Sequence, residues 1–146
     1  MWYHPRVSSR KPPLRRIGVA IDRDLLRLFD RHISGRGHTN RSEAFRDLIR
    51  GELVETAWEA DREVVGTITL AYDHHVHHLN EKLTGVKHDF HKNILSTLHV
   101  HLDHDHCLEV LVVRGKAAEV KKVADTLISI KGVKHGKLTT STTGQI

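Results

Sequence analysis

Two histidines and a cysteine stand at a spacing that strand geometry can bring together: His99, His101 and Cys107. Side chains along a strand alternate between faces, so His99 and His101 share one face while Leu98, Val100 and Leu102 take the other. After Asp103-His104-Asp105-His106 the alternation resumes, with Leu108, Val110 and Val112 apolar and Cys107 and Glu109 between them. If the two apolar rows form one core face, the paired positions sum to an even number. The turn then holds an odd number of residues, and Cys107 lands beside His99 and His101. Two imidazoles and a thiolate make three ligands of a nitrogen- and sulfur-rich transition-metal site. His88, 11 residues before His99, is the best-placed fourth donor. Its segment must turn from a helix into the strand, so a site completed from another chain is the economical arrangement. Three imidazoles and a thiolate suit tetrahedral zinc or planar nickel(II) and copper(II), and spacing alone does not choose among them. Cys107 must bind as thiolate, so affinity should fall in acid. Glu109, on the same face, could orient an imidazole; Tyr72 and His74 are further candidates for that role.

The chain has 146 residues, 14 of them His and one Cys. One Cys forms no intrachain disulfide, which favours a reducing, cytoplasmic setting. No apolar run reaches membrane-spanning length, and Met1–Arg16 lacks the apolar centre of a signal peptide, so no membrane is expected. His75, His77, His78, His91, His104 and His106 are expected to be solvated, with secondary low-affinity metal sites as the alternative. Five of the 23 Lys+Arg lie in Met1–Arg16, with no acid; the rest of the chain is balanced at 18 against 18 Asp+Glu. Residues 1–13 hold all three prolines and are expected to be a flexible basic arm. Basic arms favour polyanions, with nucleic acid first, and a solubilising tail is the plain alternative.

The elements around these residues fall into two groups. Ile17, Val19 and Ile21 alternate with Arg16, Gly18 and Ala20, which reads as a short strand. It has no sequence-adjacent partner, so it must pair with a distant segment or with its twin in another chain. Asp22 is placed to cap a helix carrying Leu25, Leu26, Leu28, Phe29 and Ile33, and Asn40 or Ser42 to cap a second with Ala44, Phe45, Leu48 and Ile49. Farther on, the pattern predicts a strand over 63–72, a helix over about 74–84, the hairpin, a helix over 116–130 and a strand over 133–142. Strand-helix-strand-strand-helix-strand is a ferredoxin-like order. The expected fold class is α+β, with a βαα domain over 14–60 and a βαββαβ domain over 61–146.

The first group resembles the ribbon-helix-helix transcription regulators, through Arg16–Asp22, Asp24-Leu25-Leu26 and Gly37-His38-Thr39-Asn40-Arg41-Ser42-Glu43-Ala44-Phe45-Arg46-Asp47. That resemblance implies a paired ribbon entering the DNA major groove, with Arg16, Gly18 and Ala20 outward and Arg41 and Ser42 at a phosphate-facing helix start. Gly18 and Ala20 cannot donate a side-chain hydrogen bond to a base edge, which leaves base readout mainly to Arg16. With His74, His88, His99-Val100-His101 and Cys107 behind this segment, and Gly132-Val133-Lys134-His135-Gly136 after it, the chain is similar to the nickel-responsive NikR repressors over about residues 14–140. The likeness implies an ACT-like second domain and a homotetramer built as a dimer of dimers, acting on double-stranded operator DNA. It also implies one Ni(II) per chain, held in a square-planar site by His99, His101 and Cys107 of one chain and His88 of a neighbour. Glu43 and Asp47, four apart on one helix face, would help hold a potassium-type cation between the domains; salt bridging to Arg46 or Arg50 is the ordinary alternative.

A metal-sensing regulator, most simply a repressor with no small-molecule substrate, is therefore the leading function. A metalloenzyme would need an open coordination position and a placed acid or base, and Glu109 is the only obvious carboxylate nearby. A sensor of zinc, copper or cobalt, or a His-rich metal store, explains the ligands. A store leaves the ribbon-helix-helix segment unexplained, and a small-molecule sensor leaves Cys107 and the histidines idle.

Overall fold

The structure, a computed structural model, describes residues 13–144; the basic-arm positions 1–12 lie outside the described residues. The chain divides into two compact units between Arg41 and Ser42.

In the first unit, α1 (Arg23–Gly35) starts where the Asp22 carboxylate accepts a 2.8 Å hydrogen bond from the Leu25 N–H. This satisfies one of the helix's unpaired donors, as an Asp N-cap should. Arg41, the first residue of α2 (Arg41–Glu59), forms a bidentate pair with Asp30, both contacts 2.7 Å. The strand expected over 17–21 is not formed in the single chain. A strand exists only as half of a ladder, and among the described residues no segment pairs with this one. Ile17 and Val19 are left exposed.

In the second unit, β1 (Glu63–Asp73), α3 (Leu79–Asp89), β2 (Ile94–His101), β3 (His106–Lys116), α4 (Ala117–Ile128) and β4 (Val133–Ser141) give the expected βαββαβ order. The sheet is antiparallel in the order β2-β3-β1-β4, which leaves β2 and β4 as edges. Val120, Val123, Ala124 and Leu127 of α4 and Leu79 and Leu83 of α3 pack onto Ile68, Leu70, Leu111 and Val113. Trp58, near the end of α2, joins the same core, and its indole N–H donates to the Ser141 carbonyl at 2.9 Å. Each buried Val, Leu or Ile among these contributes about 1.5–3 kcal/mol by leaving water.

Two further expectations differ from the structure. The helix predicted over about 74–84 begins five residues later, at Leu79. Residues 74–78 form turns instead, because the Asp73 carboxylate takes the His75 N–H at 2.8 Å and the Asp73 carbonyl takes that of Val76. The core also lies on the other side of the hairpin. The face bearing Cys107, Glu109, Leu111 and Val113 is the one that α3 and α4 cover. The row expected to be core, Leu98, Val100 and Leu102 with Leu108 and Val110 opposite, faces away from the helices. Leu98 remains 61% exposed and Leu102 58%. Both faces of this hairpin are apolar, so alternation alone could not say which one the helices would choose.

Candidate metal centre

The β2–β3 ladder sets His101 directly opposite Cys107 and His99 opposite Glu109, with the five residues 102–106 between the strands. The register is the even-sum one, and it puts all four side chains on the helix-covered face. On the other flank of β3, Tyr72 of β1 is opposite Cys107. His74 lies two residues beyond Tyr72, and its Nδ1 stands 3.3 Å from the Cys107 sulfur. The Nδ1 of His101 is 3.4 Å from the same sulfur. His74, His101 and Cys107 thus present ligand atoms within 4.8 Å of one another. His74 matters more in this geometry than its place as a minor orienting candidate suggested. The signal for it was the β1–β3 register, which no local pattern in the sequence specifies.

His99 stands beside this group, its ring 5.0 Å from that of His101 and its Nδ1 3.3 Å from the Tyr72 hydroxyl. The hydroxyl donates to Glu109 at 2.9 Å, and the other Glu109 oxygen accepts from Lys87 Nζ at 2.7 Å. Glu109 is 1% exposed, so this pair of donors is what makes its burial tolerable. Burial, reinforced by hydrogen bonding and charge from Glu109, pushes the Tyr72 phenol far above its ordinary range and keeps it a donor. Lys87, Glu109, Tyr72 and His99 form one continuous polar chain from α3 to the edge strand.

Cys107 is fully buried, and burial raises its thiol pKa; the carboxylates of Asp73, Asp103 and Glu109 push the same way. A cation at the sulfur would reverse that balance, because a coordinated thiol loses its proton outright. The donor set fits a soft to borderline metal ion: one sulfur and neutral-capable imidazoles, with His99 and His101 exposed on the edge strand β2. A cleft of about 330 Å³, lined by Tyr72, His74, Lys87, His99 and His101 among others, opens beside them.

His88 is not drawn into the cluster within its own chain. It occupies the last turn of α3, exposed, with its ring 6.1 Å from that of His91. Arg16, Gly18 and Ala20 lie exposed in the segment before α1, and Ser42 in the first turn of α2. Glu43 pairs with Arg46 at 2.7 Å and Asp47 with Arg50 at 2.9 Å, each three residues along α2. No helix among the described residues is long and apolar enough to cross a membrane.

Comparison with known proteins gives two family matches. Residues 65–141 match the NikR C terminal nickel binding domain, and residues 15–56 match the ribbon-helix-helix proteins of the copG family. A protein of Solibacter usitatus, named as a nickel-responsive regulator, is 74% identical over 132 residues, covering 90% of this chain and 95% of its own length. A protein of the same description from Geobacter sulfurreducens is 62% identical, covering 89% and 94%. One from Desulfotalea psychrophila is 49% identical, covering 90% and 97%.

Proposed function

Because this chain belongs to the NikR family of nickel-responsive regulators, with a ribbon-helix-helix segment ahead of an ACT-like domain, we propose that it represses transcription by binding operator DNA when Ni(II) is bound. The family is one of regulators, not of enzymes. In this reading residues 14–60 bind DNA, and residues 61–146 bind metal and assemble the oligomer. His99, His101 and Cys107 of one chain and His88 of a partner subunit hold one ion per chain. What carries this is the cross-strand placement of a buried sulfur beside imidazoles on an exposed sheet edge, where a donor from outside the chain can reach.

The assembly is a cytoplasmic homotetramer. Support comes from two separate apolar surfaces that one chain leaves open. Ile17, Val19 and Leu25 are exposed in the first unit, and Leu95, Leu98, Val100 and Leu102 on the edge of the sheet in the second. Two kinds of self-contact are what a dimer of dimers uses. Pairing of the 17–21 segments would give those backbone groups a ladder and turn Arg16, Gly18 and Ala20 toward a major groove. Arg41 and Ser42 then lie at the phosphates, and for that the Arg41 guanidinium must share or leave Asp30. A potassium-type cation at Glu43 and Asp47 belongs to the same reading and requires Arg46 and Arg50 to swing aside.

Once bound, the ion supplies a multivalent positive charge that converging donors can share. Since those donors come from two subunits, an occupied site favours one arrangement of the DNA-binding halves over others, and affinity for paired half-sites follows. His99→Ala should abolish nickel-dependent operator binding and leave only weak, salt-sensitive association. Wild-type operator affinity in that variant with a chelator present would refute the coupling. A second reading has one observation in its favour. His74, His101 and Cys107 already converge within a single chain, a donor set that zinc, copper or cobalt would accept without a partner. His74→Ala separates the two: it should spare nickel-dependent operator binding on the first reading and abolish the metal response on the second.

A further inference from the structure

The short connection between α2 and the sheet is held at more points than a plain linker needs. α2 ends at Glu59 and β1 begins at Glu63. Between them the Arg62 N–H donates to the Ala57 carbonyl at 3.0 Å, and Asp61 takes the left-handed backbone with φ 51°. This is a helix stop of the kind glycine usually provides. We propose that the joint is a rigid coupling, not a hinge, and that Trp58 and Asp61 are the positioning residues through which the metal domain aims α2. The inference rests on the regulator reading above.

Trp58 ties the joint to both strands at its side. It is 4% exposed, and its indole N–H holds the carbonyl of Ser141, the last residue of β4, at 2.9 Å. Its ring lies over Gly66 of β1, where any Cβ would meet it at 3.3 Å. Val54 and Ala57 pack against the same core. The final turns of α2 are therefore part of the sheet's own interior.

Asp61 ties the joint to α4. Aspartate tolerates the left-handed region, as glycine does, but it also brings an acceptor. Its carboxylate takes the Ala118 N–H at 2.7 Å, in the first turn of α4, where a negative charge is favourable. The Arg62 carbonyl accepts the neighbouring Ala117 N–H at 3.0 Å. Glycine would make the turn without the side-chain bond.

Both strands that flank the metal centre also meet at this joint. Glu63 opens β1 opposite Lys116, which closes β3, and the same pair of strands sets Tyr72 opposite Cys107 at its other end. A change in how metal holds the sheets thus reaches α2 along a hydrogen-bonded ladder. A joint without slack passes it on, and a flexible linker would absorb it.

Amide hydrogen exchange on the full-length protein tests the joint by itself. The Arg62, Ala117 and Ala118 N–H groups should exchange at least about a hundredfold more slowly than open-chain amides. Exchange within about tenfold of the open chain would overturn the proposal. The consequence is read with a DNA duplex selected from random sequence by the nickel-loaded wild-type protein. In Trp58→Leu/Asp61→Gly both anchors are lost while the left-handed turn is kept. The thiolate-to-nickel band should remain with nickel affinity within about twofold of wild type, while the nickel-induced gain in duplex affinity falls by about tenfold or more. A merely structural role would lower band and gain together. Trp58→Phe/Asp61→Asn keeps a ring over Gly66 and an acceptor for Ala118, and should restore most of the gain. If the looser variant loses the band, Asp61→Gly alone decides, with a gain about threefold smaller than wild type expected. A full gain in a variant that keeps the band would overturn the proposal. A wild type with protected amides and no nickel-induced gain would count against the regulator reading and leave the rigid joint in place. Unprotected amides with the gain intact would do the reverse.

Discussion

Lys87→Met strands the most deeply buried charge in the sheet. Glu109 is 1% exposed, and its carboxylate is held by Lys87 Nζ at 2.7 Å and the Tyr72 hydroxyl at 2.9 Å. Removing one partner of a buried ion pair costs about 3–5 kcal/mol, because the remaining charge is left without compensation. The Lys87 side chain is 27% exposed, so water reaches that end of the pair and the cost should fall to about 2–3 kcal/mol. In urea unfolding at fixed protein concentration, that corresponds to a midpoint lowered by about 1–2 M. Methionine matches the length of the lysine stem, so little packing is lost along with the charge. The double variant Lys87→Met/Glu109→Leu should recover most of the loss, since no charge is then stranded. A single variant within about 0.5 kcal/mol of the wild type would refute this account of Glu109. So would a double variant as unstable as the single one.

Two more predictions concern the thiol and the sheet. Apparent nickel affinity should rise between about pH 6 and 8, because binding displaces the Cys107 proton that burial holds in place. Calorimetry in buffers of different ionisation enthalpy would register the released proton, and Cys107→Ser should remove that share. In the metal-free protein the sign is opposite: the fold keeps a proton that the unfolded chain gives up, so stability declines as pH climbs past the ordinary thiol range. Gly66→Ala should destabilise by about 1–3 kcal/mol in the same urea assay, since its Cβ would lie 2.9 Å from the Thr139 carbonyl oxygen on the paired strand β4.

Much of this protein is legible in its sequence where the signal is local or periodic. The order of the second domain's elements, the Asp22 cap and the even-sum pairing that puts Cys107 on the face of His99 and His101 all follow from spacing. What spacing could not supply is which face of a two-sided apolar hairpin the helices would cover. Leu108, Val110 and Val112 alternate as cleanly as Leu111 and Val113, and only the tertiary placement of α3 and α4 decides between them. The start of α3 at Leu79 departs from the apolar spacing for a related reason. Val76 keeps helical spacing with Leu79 and Leu83, but the Asp73 side chain competes for backbone donors and defers the helix. His74 entered the sulfur's surroundings through a strand pairing 33 residues distant in sequence. The 17–21 strand was readable as a pattern, yet one chain does not contain the partner that makes it a strand.

The claim on which the rest depends is that one metal site is built from two chains. Complementation between two inactive variants measures it directly. His88→Ala keeps His99, His101 and Cys107, while His99→Ala keeps His88; each alone should fail to give the thiolate-to-nickel band. Co-assembled hybrids, purified by two different tags, should regain up to about half the wild-type band, because one of every two sites is then complete. No recovery in verified hybrids, or a full band in His88→Ala alone, would contradict a shared site.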